Sequence, residues 1–397
     1  MARVLFINGP ASGHVNPTLG LVEELITHGE EIVYVSSEEY RSKLERLGAA
    51  FVAYGNFLAG APASSLGGLM PLSNLILSSY DIILPCIREI SETRTFDYLI
   101  HDSMYGCGNI VAGMLRLPHV ATCTSFVYSE RMSGGSSGDE DMRESNRRYV
   151  KEFMALARQM EAKYKIRSKL QIQNVFFNPG DLNLLFTSRE LQPEADTLDE
   201  SYRFVGPSIH DRGEPLDFPL EKKPGQRTVY ISLGTVFNEF PQFYALCFEA
   251  LRDFDGLVIV SVGKNTDIAG FGVLPEHFII RPHVPQLAVL QEADLFITHG
   301  GMNSVHEALY FDVPLIVVPM AADQPAVAGR IEALGAGRML DAAALTPELL
   351  RACVDEILTS EHYRLGSARI GRSLREAGGQ QAAVREIMRF KRKFGIL

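Results

Sequence analysis

At 397 residues, 46% hydrophobic and 22% charged, the chain is too long for a single small binding module and too apolar for a disordered or fibrous one. Its 38 basic against 48 acidic side chains leave a net charge of −10, which excludes the basic footprint that a phosphate backbone requires; nucleic acid is not an expected partner. The first apolar run, Val4 to Ile7, is cut off by Gly9-Pro10, too short for a secretory signal, and later runs such as 313–320 carry prolines and fall short of a membrane span. These features predict a soluble, cytoplasmic protein without stable membrane association. Five widely spaced cysteines with no CxxC pair suggest neither a disulfide framework nor a zinc site.

In chain order, Arg3 to Asn8 reads as a strand. Asn16-Pro17 opens a helix whose Leu19, Val22, Leu25 and Ile26 share one face before Gly29, with Asn as N-cap and Pro in the first turn. Ile32 to Val35, Tyr98 to Ile100 and His119 to Thr122 repeat the strand. Glu38 to Leu47 and residues 106–115 repeat the helix. Strands alternating with helices predict a parallel sheet covered on both faces. Residues 144–169 carry Phe153, Leu156, Met160 and Tyr164 at helical spacing, an amphipathic helix packed on this domain. Residues 207–226, with four prolines among charges, read as a linker. The alternation then restarts with Val229 to Leu233 and continues past Leu315 to Val318. Residues 361–377 and 380–394 form terminal helices, the second ending in a basic face, Arg389, Lys391, Arg392 and Lys393, expected to be solvated. The fold class is thus α/β, with two doubly wound halves.

The densest constellation is Thr298-His299-Gly300-Gly301-Met302-Asn303-Ser304-Val305-His306-Glu307, which follows a predicted strand and opens a predicted helix. Glycines let backbone N–H groups approach a ligand, and a helix N-terminus favours a phosphate. Glu307, one helical turn beyond Asn303, could accept from two ribose hydroxyls, so the group suggests a nucleotide. Taken singly, Asn303 reads equally as an N-cap, His299 as a strand-end histidine and Glu307 as a solvated helix residue. Ser232-Leu233-Gly234-Thr235 makes a second strand-to-helix turn with a glycine and a hydroxyl. Neither GxGxxG nor GxxxxGK[ST] occurs.

His283-Val284-Pro285-Gln286, then residues 299–304, Glu307 and Asp323-Gln324-Pro325, in that order and spacing, resemble the donor-binding signature of the family 1 UDP-glycosyltransferases. The macrolide- and flavonoid-glucosylating bacterial branch is the nearest, and the resemblance covers essentially the whole chain. It implies a GT-B architecture, two Rossmann-like domains facing across a cleft: residues 1–206 for the acceptor, a linker at 207–226, residues 227–377 for the UDP-sugar, and a helix at 378–397 packing back on the first domain. It implies that His283, Val284 and Gln286 hold the uracil and Glu307 the ribose. Thr235, His299, Asn303 and Ser304 would bind the diphosphate, Asp323 and Gln324 the sugar hydroxyls, and Gly234, Gly301 and Met302 belong to the same donor site. Unlike the plant signature, His283 and Met302 stand where tryptophans would be.

In the first half, Gly13-His14-Val15-Asn16-Pro17 places His14 in the loop after the first strand, at the sheet edge where such folds bind ligands and before a helix N-terminus that disfavours imidazolium. His14 reads either as a general base or as a capping histidine. Asp102 closes the fourth strand at the same edge and could orient the ring, as the matching His and Asp do in the family. The implied chemistry is direct displacement with inversion: a hydroxyl deprotonated by His14 attacks the anomeric carbon of a UDP-sugar, UDP-glucose first, with no metal and no tightly bound cofactor. Phe57, Leu66, Met70, Met104, Phe126 and Met132 are candidates to line a pocket for a small apolar acceptor such as a flavonoid, polyphenol or macrolide. Base and donor sites on different halves must meet across the cleft, so closure is expected, in a monomer or weak homodimer. The competing readings are a UDP-sugar 2-epimerase and a non-catalytic nucleotide-sugar-binding protein on the same fold.

Overall fold

The structure is a computed structural model that describes residues 1–396 apart from 62–67, 106, 128–139, 167–168, 211, 213, 215–217, 219, 221–222, 224, 235–239 and 322. The chain divides into two compact units, Met1–Ser208 with Ala377–Leu397, and Ile209–Glu376.

The first unit is built on a seven-stranded sheet, β1 (Arg3–Ile7), β2 (Glu31–Ser37), β3 (Ala50–Tyr54), β4 (Tyr98–Asp102), β5 (His119–Cys123), β6 (Leu182–Leu185) and β7 (Tyr202–Phe204), ordered β3-β2-β1-β4-β5-β6-β7. Every pairing is parallel. The strands are apolar on both faces because helices cover both. Alternate residues of one strand therefore enter different cores: Val4 and Phe6 pack with Val15, Leu19 and Val22 of the helix Ser12–Thr27, while Leu5 and Ile7 pack with Ile83, Leu84 and Ile87 of the helix Tyr80–Thr93. The stretch Met70–Thr93 has the length and composition of a membrane span, yet half of its most apolar window is buried in this second core. The helix Glu140–Tyr164 buries Phe153, Met160 and Tyr164 there as its periodicity predicts.

The second unit repeats the plan with six parallel strands, β8 (Arg227–Ser232), β9 (Gly256–Ser261), β10 (Phe278–Arg281), β11 (Leu295–Thr298), β12 (Leu315–Val317) and β13 (Gly337–Met339), ordered β10-β9-β8-β11-β12-β13. In both sheets the strand order reverses beside the first strand, between β1 and β4 and between β8 and β11. Helices leave such a point in opposite directions, which opens a crevice at the carboxyl ends of the two strands.

Three local expectations give way to tertiary contacts. The first helix begins at Ser12 rather than at Asn16, so His14 stands in its first turn and not in a loop, and Pro17 lies inside the helix. The amides of His14 and Val15 both bond the Ala11 carbonyl, and Asn8, held by the Tyr34 hydroxyl at 2.7 Å, donates to the His14 carbonyl at 3.0 Å. Asn16 is not the cap, and its buried Oδ1 has no hydrogen-bond partner among the described residues. Second, the basic end of the last helix, Gly379–Lys393, is not wholly solvated. Lys391 is 1% exposed and pairs with Glu30, which also accepts from Tyr98 Oη at 3.2 Å. Lys391 continues the buried stripe of Val384 and Ile387 that packs on the first unit, so its position is set by helical periodicity and its ammonium is partnered by Glu30. Third, the boundary between the units falls inside the segment read as a linker, after Ser208, and Phe218 of that segment is buried in the second unit, 7% exposed.

Breaking a buried ion pair leaves one charge uncompensated, so Glu30→Gln or Lys391→Met alone is expected to cost about 3–5 kcal/mol in urea unfolding, and a Glu30→Leu, Lys391→Met double variant much less. Acid is expected to destabilise the chain through its buried histidines, His101 and His306 among them. Burial holds His101 at about 4 and His306 at about 3, both below the ordinary 6.5. The unfolded chain therefore takes up these protons first as pH falls below 6.5, and stability is lost progressively down to about pH 4 or below, by a few kcal/mol. Urea midpoints from pH 7 to pH 4.5 should show the fall, and His306→Leu should make it shallower.

Candidate active site

At the reversal point of the first sheet, β1 runs into the turn that starts the helix carrying His14, while Asp102 ends β4, one residue beyond the register pair Ile7 and His101. Sequence-distant residues thus meet: His14 Nδ1 lies 2.7 Å from Asp102 Oδ2 and 3.0 Å from Thr124 Oγ1. Asp102 is fully buried, and its other oxygen accepts the amides of Met104 and Tyr105 at 2.7 and 2.9 Å. Burial pushes its carboxyl upward, but the His14 charge, the hydrogen bond from His14 and the two amides outweigh it and leave it below the usual carboxylate range. An ionised carboxylate only accepts, so it is the Nδ1–H of His14 that this contact calls for, with Nε2 on the far side of the ring. The His14 side chain is 15% exposed, and the Tyr105 ring stands edge-on to it at 4.6 Å. A side chain on Gly9 would collide with Tyr105, its Cβ falling 2.3 Å from that ring.

Of the acceptor candidates, Phe57 contacts Tyr105 at 6.0 Å between ring centroids, and Met104 follows the Asp102 turn. Met70 lies in the helix Leu69–Ser78, Phe126 is 3% exposed, and Leu66 and Met132 lie outside the described residues. Thr124 and Tyr105, which touch His14, carry no motif; their role is visible only once β5 and the 103–105 turn are placed.

In the second unit the turns after β8 and β11 face each other across the reversal point. Gly234 and Gly300 adopt left-handed backbone, at φ 75° and 89°. A Cβ on Gly234 would fall 2.6 Å from His299 Cε1, and one on Gly301 2.6 Å from His299 Nε2, so the imidazole fits only between two glycines. That desolvation lowers His299 to about 4, leaving it neutral at pH 7. The helix Met302–Tyr310 begins there with Gly301 as N-cap and Met302, Asn303 and Ser304, none of them acidic, in its first turn. Met302 itself points inward and is 6% exposed. Thr235 lies outside the described residues.

Beside this turn, Gln286 Nε2 donates to Glu307 Oε2 at 2.7 Å and approaches Ser304 Oγ at 3.4 Å, while Tyr230 Oη donates to Gln286 Oε1 at 3.3 Å. Glu307 is 5% exposed rather than solvated, and its second oxygen pairs with Arg212. Val284 is buried, whereas the His283 side chain is 59% exposed with Glu214 3.5 Å away. Gln324 Oε1 accepts the amides of Met320 and Ala321 at 2.7 and 2.9 Å, which shapes the loop and leaves its amide NH₂ to donate, and Asp323 starts the helix that follows. Arg212 and Glu214 were not singled out from sequence, because a charge in a proline-rich stretch has no signal until its partner is placed.

Residues 245–383 match the family of the erythromycin biosynthesis protein CIII-like C-terminal domain. The chain is 36% identical over 396 residues to the uncharacterized UDP-glucosyltransferase YojK of Bacillus subtilis (strain 168), covering 98% of this chain and 97% of that one. It is 34% identical to the NDP-glycosyltransferase YjiC of the same organism, covering 99% and 98%. The solved structure of the kitacinnamycin glycosyltransferase superposes with a TM-score of 0.85 at 27% identity, covering 98% of both chains. Two parallel sheets, each covered by helices, and this full-length similarity place the chain in the family 1 UDP-glycosyltransferases, as a glycosyltransferase of the bacterial macrolide type.

Proposed function

We propose that this glycosyltransferase moves glucose from UDP-glucose to a hydroxyl of a small hydrophobic acceptor, a polyphenol, flavonoid or macrolide, with inversion at the anomeric carbon. The observation that carries the reading is the His14–Asp102 pair at 2.7 Å, with the carboxylate buried and fully hydrogen-bonded. Such an arrangement fixes one tautomer and turns Nε2 into the proton acceptor. In the reaction Nε2 takes the acceptor hydroxyl's proton, the oxygen bonds to the anomeric carbon, and the bond from that carbon to the diphosphate breaks. Asp102 stabilises the imidazolium that forms.

The leaving diphosphate gathers charge, and the positive end of the helix Met302–Tyr310 with Asn303 and Ser304 is suited to receive it. In this reading His283, Val284 and Gln286 hold the base, Glu307 the ribose, and Gly234, Thr235, His299 and Gly301 flank the phosphates. Asp323 and the NH₂ of Gln324 meet the sugar. Glucose is favoured because the relative YojK carries the name UDP-glucosyltransferase. Phe57 and Met104, near the base, are the first acceptor contacts to test, with Tyr105 as the wall between Phe57 and His14.

Purified protein incubated with UDP-glucose and a panel of phenols and macrolides is expected to release UDP and form a hexose adduct only when acceptor is present; release without acceptor would reject the transferase assignment. NMR of the adduct should show a β-linkage from the α-donor. Loss of general-base help is typically worth about a hundredfold to ten-thousandfold, so His14→Ala should lower kcat by that range. Asp102→Asn, which removes the charge that orients the ring, should lower it about a hundredfold or more, with the donor KM little changed in both. Near-full activity in His14→Ala would reject the base.

A further inference from the structure

The stretch read from sequence as a linker sends two opposite charges to two residues of the donor site. Arg212 Nη2 pairs with Glu307 Oε1, and two residues on, Glu214 Oε2 lies 3.5 Å from His283 Nε2. Phe218 anchors the same stretch, buried beneath the Arg281 guanidinium at 5.6 Å from its ring centre. All six residues belong to the second unit.

The Arg212 and Glu307 side chains are 16% and 7% exposed, so water screens their interaction little. A carboxylate has roughly four acceptor positions, two on each oxygen. Arg212 takes one on Oε1, and Gln286 Nε2 takes one on Oε2. Among the described residues one position is left on each oxygen, the pattern needed to accept from two neighbouring hydroxyls at once. Gln286 alone would hold the carboxylate from one side only and leave it free to turn; the Arg212 guanidinium supplies the second hold and the compensating charge.

We propose that Arg212 is a positioning residue for the donor, which holds Glu307 so that both of its oxygens meet the 2′- and 3′-hydroxyls of a ribonucleotide, and that the pair makes the site select ribose over 2′-deoxyribose. This rests on the reading that Glu307 binds the ribose. A site built to hydrogen-bond a hydroxyl rejects the analogue lacking it, because its own polar group is then left short of a partner.

Calorimetric titration of UDP and of 2′-deoxy-UDP into the full-length protein tests it in wild type and in Arg212→Gln, Arg212→Lys and Glu307→Gln variants. The ratio of the two affinities on one preparation is independent of the fraction folded. Wild type is expected to prefer UDP by about tenfold or more, and Glu307→Gln to lose the preference. Arg212→Gln should weaken UDP by about tenfold and lose most of the preference, and Arg212→Lys, which keeps the charge without the planar fork, should recover part of it. If Arg212→Gln keeps the wild-type ratio while Glu307→Gln loses it, or if Arg212→Gln binds UDP more tightly, Arg212 does not position the carboxylate and the proposal falls. A lysine variant no better than the glutamine variant would overturn the role of the charge. If wild type shows no preference, or Glu307→Gln retains it, the ribose reading of Glu307 itself fails.

Discussion

Parallel pairing of every strand in both sheets is the constraint on which the rest of the structure depends. A parallel partner can be reached only by a crossover, so helices cover both faces, strand carboxyl ends gather at one edge, and helix N-termini gather beside them. Reversal of strand order beside β1 and beside β8 then parts the helices and leaves a crevice at that edge. His14 and Asp102 follow β1 and end β4, and Gly234 and His299 follow β8 and β11. In each sheet two strands thus bring candidate residues to one edge, and the register Ile7 with His101 in the first and Thr298 with Ser232 in the second sets their height within that sheet.

Each buried carboxylate in this edge-and-core arrangement is matched by specific partners. Asp102 has a histidine and two amides, Glu307 an arginine and an amide side chain, and Glu30 a lysine and a tyrosine hydroxyl. Burial makes each match consequential, since a charge out of water is costly unless paired. At Asp102 the match holds the His14 ring and the 103–105 turn; at Glu30 it fastens the last helix to the sheet of the first unit. The same physics works in reverse at His101, His299 and His306, where burial lowers the affinity for the proton and keeps the rings neutral.

The periodicities of Leu19, Val22 and Leu25 and of Phe153, Met160 and Tyr164 gave the helices and their buried faces, and the strand alternation gave two parallel sheets, because these depend on spacing along a short stretch. The glycine-rich turn at 299–304 was legible for the same reason: a strand, two glycines and a helix start are all local. Helix boundaries were less so. Asn16 has the side chain of a cap, but Asn8 bonds the carbonyl of His14 in the first turn and the N-cap is Ala11, five residues earlier.

By itself the sequence determined the α/β class, the doubling of the fold and the motifs that carry the family, since propensity, periodicity and spacing act between neighbours. Only the tertiary structure decided which polar groups meet: Thr124 and Tyr105 against His14, Lys391 against Glu30, and Arg212 against Glu307. Those partners are 110, 91, 361 and 95 residues apart. Long-range electrostatic and hydrogen-bond pairing leaves no periodic trace in the chain, so a buried lysine and a charge in a proline-rich stretch look solvated until the fold brings their partners to them.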